Sequence, residues 1–405
     1  MQSLAHRQAQ ARLHFDNADG TPAAGLPVAI DQVSHKFLFG CGAFDAVALN
    51  AVPDEKIRAT LEARMQKWCR LFNYGTLPFY WGRYEPEEGH PAFEPTMAGA
   101  KWLQARGVRV KGHPLCWHTV CAPWLMKYTN AEILDKQLKR IEREVSAFRG
   151  VVDLWDVINE VVIMPVFDKY DNAVTRICRE YGRFELVRRV FETAKQFNPS
   201  STLLINDFNT SPAYEILIEG LLDKGVPIDV IGIQSHQHQG YWGKEKLYEV
   251  LERFSRFGLP IHFTENTLIS GDLMPAHIVD LNDWQVSSWP STPEGEERQA
   301  REVSEMYSIL FAHPLVEAVT TWDFIDGCWL GAPSGLLRKD GSEKPAYRAL
   351  EGLIHGEWET HQTLMSDAQG YVCFEGFKGD YRLSMDGRAA DFRLLGNVNT
   401  QLTLL

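Results

Sequence analysis

No window of this 405-residue chain approaches the run of about 20 apolar residues that crosses a bilayer. The opening stretch MQSLAHRQAQARLHF also lacks the apolar middle of a signal peptide. Positive charge is scarce too: 41 lysines and arginines face 53 acids, a net charge of -12 spread along the chain. Such a surface repels polyphosphates and anionic lipid, so nucleic acid and membrane are excluded as expected partners. The seven cysteines, Cys41, Cys69, Cys116, Cys121, Cys178, Cys328 and Cys373, are odd in number and contain no CxxC pair. That usage suits reduced thiols and argues against a disulfide framework or a zinc site. The expectation is a cytoplasmic protein, or a secreted or periplasmic one if an export signal has been removed.

A further absence bears on the fold. Short apolar runs alternate with longer amphipathic ones, which an open doubly wound sheet and a closed barrel share, but no glycine-rich phosphate loop follows an early strand. The strand candidates are residues 37–40, 68–73, 108–115, 151–159, 202–207, 228–235, 261–265 and 316–322. Between them lie helical patterns such as AEILDKQLKRIEREVSAF, with Leu134, Leu138, Ile141 and Val145 on one face, and EGEERQAREVSEMYSILF, acidic at its start as the helix dipole prefers. Eight strand-helix units read as an α/β (β/α)8 TIM barrel over residues 35–356. The ends differ: residues 1–34 hold two alternating strands around an Asp-Gly turn, and residues 357–405 hold several short strands. Neither piece can bury a core alone, so the two are expected to meet as one small accessory β-sandwich.

In such a barrel the chemistry lies at the carboxyl ends of the strands. His113 and Trp117, Asn159 and Glu160, Asn206 and Asp207, Gln234 and His236, Glu265, and Trp322 all fall there. Glu160 and Glu265 end the fourth and seventh strands, which face each other across the mouth. A carboxylate at one strand end is commonly a salt-bridge partner, but two facing one cleft suit glycoside hydrolysis, one protonating the departing oxygen and the other attacking or activating water. Tryptophans at the rim offer flat faces for a pyranose, with N–H groups left to bond hydroxyls. Trp68 and Trp102 read instead as core. His236 and His238 form a His-x-His without a matching ligand set elsewhere, so no metal is expected, and no cofactor is required.

The motifs GHPLCWH, LWDVINE, LLINDFN, IGIQSH, FTEN and WDFIDGCW resemble, in this order, the strand-end motifs of glycoside hydrolase family 10, the retaining xylanases. The resemblance runs from about Phe39 to Tyr347. It implies Glu160 as general acid/base, Glu265 as nucleophile, Asn159 as the partner of the sugar 2-hydroxyl and His236 as the residue that holds the nucleophile. It further implies that His113, Trp117, Gln234, Trp322 and Trp329 line the sugar site, and that the substrate is a plant cell-wall polysaccharide or oligosaccharide.

The pattern breaks at LFNYGTLPFYWGRYEPEEG, residues 71–89, where the family carries T-x-E-N-x-M-K-W. The Glu, Asn and Lys of that motif bind the sugar on the non-reducing side of the cleavage point. Here Leu77, Pro78, Phe79 and Tyr80 follow Thr76, leaving Arg83 as a candidate cation and Trp81 as a candidate stacking face. Val120, Asn266, Thr267 and Asp323 also depart from the family's residues. The expectation is hydrolysis of β-1,4-linked xylan or decorated xylo-oligosaccharides by double displacement. The alternatives are the same mechanism on another β-glycoside, or a non-catalytic carbohydrate-binding barrel.

Overall fold

The structure, a computed structural model, describes residues 3–402 apart from 18 and 280. Eight parallel strands form the centre: β1 (Leu38–Gly42), β2 (Tyr74–Pro78), β3 (Arg109–His113), β4 (Leu154–Asn159), β5 (Thr202–Asp207), β6 (Val230–Ile233), β7 (Ile261–Leu268) and β8 (Val316–Thr321). Each pairs with the next, and β8 pairs back onto β1, with Ala318 opposite Leu38 and Thr321 opposite Cys41. The ring is therefore closed, a (β/α)8 barrel with no free strand edge.

The helices outside form for local reasons. Helix Asn130–Ala147 starts in a capping box, the Thr129 hydroxyl accepting from the Glu132 N–H while Glu132 reaches back to the Thr129 N–H. Its apolar stripe, Ile133, Leu134, Ile141 and Val145, is buried against the barrel. Inside the ring Leu38, Tyr74, Leu154, Leu204, Val230 and Ala318, one from each of six strands, form a cluster of their own at the amino end. Above this floor lies a buried ion pair, Lys111 Nζ to Asp156 Oδ2 at 2.7 Å. The upper interior is thus charged and hydrogen-bonded, and its polar residues open toward the mouth.

The second strand departs from expectation. Residues 68–71 are the last turn of helix Glu55–Leu71, and the strand is Tyr74–Pro78. An apolar run of that length fits either state, and here the run packs as helix, with Trp68 and Leu71 buried.

The termini build two sheets. Gln8–Phe15 lies between Tyr371–Phe377 and Val398–Leu402, while Pro27–His35 lies between His361–Met365 and Gly379–Met385, with Arg388–Leu394 at the edge. Phe15, Ile30, Phe374, Tyr381 and Leu383 share one core between them. The first two strands are therefore not a hairpin: the chain crosses from one sheet to the other at the Asp-Gly turn. Arg7 anchors this sandwich, donating to the carbonyls of Phe311 and His313 just before β8 and of Val316 at its first residue, at the amino end of the barrel and away from the mouth.

Candidate active site

Two strands deliver carboxylates to the mouth, and both are irregular where they do so. In the pairing of β4 with β5 the register slips between Asp156 and Ile158, which sets Asn159 opposite Asn206. In the pairing of β7 with β8 it slips between Phe263 and Asn266, around Glu265. An extra residue in one strand re-aims the side chains that follow it. Glu160 then leaves β4 with φ at 57°, a left-handed conformation that costs a non-glycine residue about 1–3 kcal/mol, and its N–H donates to Asn206 O at 2.9 Å.

Asn206 joins the two halves. Its Nδ2 donates to Glu265 Oε1 at 2.7 Å and to Asn159 Oδ1 at 2.8 Å, and its Oδ1 accepts from the Thr264 hydroxyl at 2.6 Å. Gln234 Nε2 donates to Asn159 Oδ1 and to Glu160 Oε1, both at 3.1 Å. The Trp117 indole N–H donates to Glu160 Oε2 at 2.9 Å. On the other side His236 Nε2 lies 3.2 Å from Glu265 Oε2, and His236 Nδ1 lies 3.2 Å from the Thr267 hydroxyl. His113 approaches Glu265 Oε1 at 3.9 Å while its Nδ1 donates to Asp156 Oδ2 at 2.7 Å.

This environment separates the two acids. Burial raises the Glu160 carboxyl above the usual range, Gln234 and Trp117 offset part of that rise, and the nearby charge of Glu265 adds to it. Burial would raise Glu265 as well, but His113, His236 and Lys111 outweigh it and hold this group below the usual range. The pair can therefore sit with Glu160 protonated and Glu265 ionised, the division of labour that acid-assisted displacement needs.

Aromatic rings enclose the pair. Trp329 stacks on His236 with centroids 4.8 Å apart and planes 6° apart, and Trp322 meets His113 edge-on at 5.2 Å. Tyr80 stands edge-on to His113 at 5.7 Å and tilted against Trp117 at 5.6 Å.

Residues 78–352, more than half of the chain, match the model of Glycosyl hydrolase family 10. The chain belongs to glycosyl hydrolase family 10. Among curated relatives, endo-1,4-beta-xylanase B of Thermotoga neapolitana is 28% identical over 291 residues, 68% of this chain and 78% of that protein. Endo-1,4-beta-xylanase A of Caldicellulosiruptor saccharolyticus is 25% identical over 261 residues, 60% of this chain and 71% of that one. Among solved structures, native xylanase 10B from Thermotoga maritima superposes with a TM-score of 0.63 at 25% identity, covering 80% of this chain and 96% of its own.

Against that family background the structure places four of the expected sugar contacts as follows. Trp81 is buried, its N–H donating to Glu85 Oε2 at 3.1 Å and its ring edge-on to Trp124 at 5.8 Å, so it packs in the wall and presents no stacking face. Arg83 is exposed, its guanidinium 5.9 Å from the Tyr80 ring. Gln234 Nε2 and the Trp117 N–H both donate to Glu160, which places the two side chains beside that carboxyl. Leu77, Phe79 and Tyr84 are buried, and Tyr80 is the side chain of the altered segment that reaches the mouth. Asn206 and Tyr80 are the site residues that the sequence reading left without a role. For Asn206 a signal existed, an amide at the same strand-end position as Asn159; for Tyr80 none did. His238 does not join His236 in a ligand set, since it packs against Trp329 at 5.5 Å and burial lowers it to about 4. Among the described residues no three His, Cys, Asp or Glu side chains converge as metal ligands.

Proposed function

We propose that this family 10 glycoside hydrolase cleaves β-1,4-xylosidic linkages in xylan or decorated xylo-oligosaccharides with retention of configuration. In the first step Glu265 attacks the anomeric carbon while Glu160 protonates the departing glycosidic oxygen. In the second, Glu160 takes a proton from water, and the resulting hydroxide displaces Glu265 from the sugar. Such double displacement needs carboxyl groups about 5–5.5 Å apart. The observation that carries the reading is the opposed environment of the two acids, linked through Asn159, Asn206 and Gln234 in one network. Asn159 supports it further: its Oδ1 is held by two amides, leaving Nδ2, bound at 3.3 Å to Glu160, a second hydrogen for the sugar 2-hydroxyl.

The same mechanism on a different β-glycoside is favoured by one feature, the β2 end, where Tyr80 replaces a polar clamp. Loss of hydroxyl partners there lowers the selectivity for an unsubstituted xylose and leaves room for another glycone. Kinetics over aryl glycosides and xylo-oligosaccharides separate the two. Glu265→Ala is expected to abolish turnover, with azide restoring it as an α-glycosyl azide. Unchanged turnover in that variant, or an inverted first product by NMR, refutes the assignment.

A further inference from the structure

The connection after β7, residues 269–292, of which the structure describes all but 280, is much longer than the one after β5, where four residues separate Asp207 from helix Pro212–Asp223. Its base is pinched shut. Thr292 N donates to Ser270 O at 2.8 Å, Gly271 bridges Ser291, and the Trp289 indole donates to Asp272 O at 2.7 Å. The body has its own core: Ile269, Met274, Trp289 and Ala332 are buried, with Trp284 and Trp329 packed against them. Trp329 is the ring that stacks on His236, so the segment is built directly against the nucleophile's partner.

From this base the segment turns toward β6 and passes it. Met274 N donates to His238 O at 2.9 Å, and Gln239 Nε2 donates to Pro275 O at 3.1 Å and Ile278 O at 2.7 Å. Beyond the short β5 connection Asp283 Oδ1 reaches Lys169 Nζ at 3.5 Å, in the loop that follows Glu160. An exposed ion pair of this kind contributes little energy, but it fixes where the tip lies. The β4 loop in turn leans on β3's loop, Phe167 standing 4.5 Å from the His118 ring. The loops after β3, β4, β6 and β7 thus form a continuous rim, and β6, which stands across the ring from β2, lies within it.

In the family's pattern the β2 end receives the sugar on the non-reducing side, so the opposite half receives the leaving group. The geometry points to segment 269–292 as a wall across the aglycone end of the cleft, making the substrate class short xylo-oligosaccharides and chain ends that lose one or two sugars from the reducing end. This rests on the retaining glycosidase reading above. Internal linkages of a polymer place a long chain on that side, and the wall bars its exit.

The test uses xylohexaose labelled with heavy oxygen at the reducing end, with products read by mass spectrometry, alongside viscosity and reducing-sugar release on soluble xylan. The full chain is expected to cut at the first two linkages from the reducing end about tenfold more often than at internal ones. Combining Gln239→Ala with Asp283→Ala, which releases the segment from its neighbours and leaves the cluster around Trp329 intact, is expected to raise internal cleavage while hydrolysis of an aryl xylobioside stays unchanged. Internal cleavage by the full chain as frequent as terminal cleavage, or a cleavage pattern unaltered in this variant, overturns the wall. Absence of any Glu265-dependent turnover overturns the glycosidase reading and the wall with it.

Discussion

Asn206→Asp puts the electrostatics of the pair to its hardest test. Asn206 Nδ2 lies 2.7 Å from Glu265 Oε1, and neither side chain has room to move away, both being buried. Aspartate keeps the shape and the acceptor for the Thr264 hydroxyl, but sets a second carboxylate against Glu265. Two unit charges about 4 Å apart repel by about 4 kcal/mol in a protein-like medium, so the pair holds one proton across the range where wild-type Glu265 is ionised. The acid limb of kcat/KM is therefore expected to move up by about two to three pH units. The sign for stability follows the same proton: it is bound in the folded pair, so the variant matches wild type at low pH and loses stability as pH rises through the new limb. The assay is kcat/KM against pH on an aryl xylobioside whose leaving group departs without Glu160. Asn206→Ala serves as the comparator, since it removes the donor without adding charge and leaves the Thr264 hydroxyl unpaired at a cost of about 1–3 kcal/mol. An acid limb for Asn206→Asp that coincides with wild type refutes the placement of Asn206 against a Glu265 that is ionised in the resting site.

Two further outcomes test how the barrel holds that site. Lys344 is fully buried, its Nζ bound to Asp326, to Ser270 Oγ at 2.7 Å and to Gly335 O at 2.9 Å, which ties the β8 loop carrying Trp329 to the start of the β7 segment. Lys344→Met is expected to cost about 3–5 kcal/mol in denaturant unfolding, with Asp326→Asn in the same chain restoring part of it; a cost no larger than that of a surface substitution counts against the tie. A Cβ on Gly112 would lie 2.1 Å from the ring of Trp155, which is itself buried, so Gly112→Ala is expected to lower stability by about 1–3 kcal/mol or more, and Trp155→Leu to relieve it. An unchanged melting temperature for Gly112→Ala refutes that packing.

Which features could be read beforehand follows from how locally each is determined. Glu160 and Glu265 each end an apolar run, and the (β/α)8 closure converts strand ends into one mouth, so two residues 105 positions apart in the chain could be paired without coordinates. The second strand could not. Its residues Tyr-Gly-Thr-Leu-Pro combine two poor strand formers, and it is a strand because its neighbours in the ring require one. Gly75 serves that requirement, since a Cβ there would stand 3.1 Å from Ala43 and 3.2 Å from Leu103. The exchange of Trp81 for Tyr80 has the same origin. Alternation predicts which side chain faces inward only while the strand lasts, and the chain leaves β2 at Pro78 for the short helix Trp81–Tyr84, so the facing residue is decided by a turn no periodicity encodes. Asn206 is the instructive case between these limits. Its strand was legible and so was its polar end, but its contact with Asn159 exists because the register slips within Asp156–Ile158, which sets Asn206 opposite Asn159 where an unbroken register would have set it opposite Ile158. A bulge has no fixed sequence signature, and it decides here which amide joins Asn159 to Glu265.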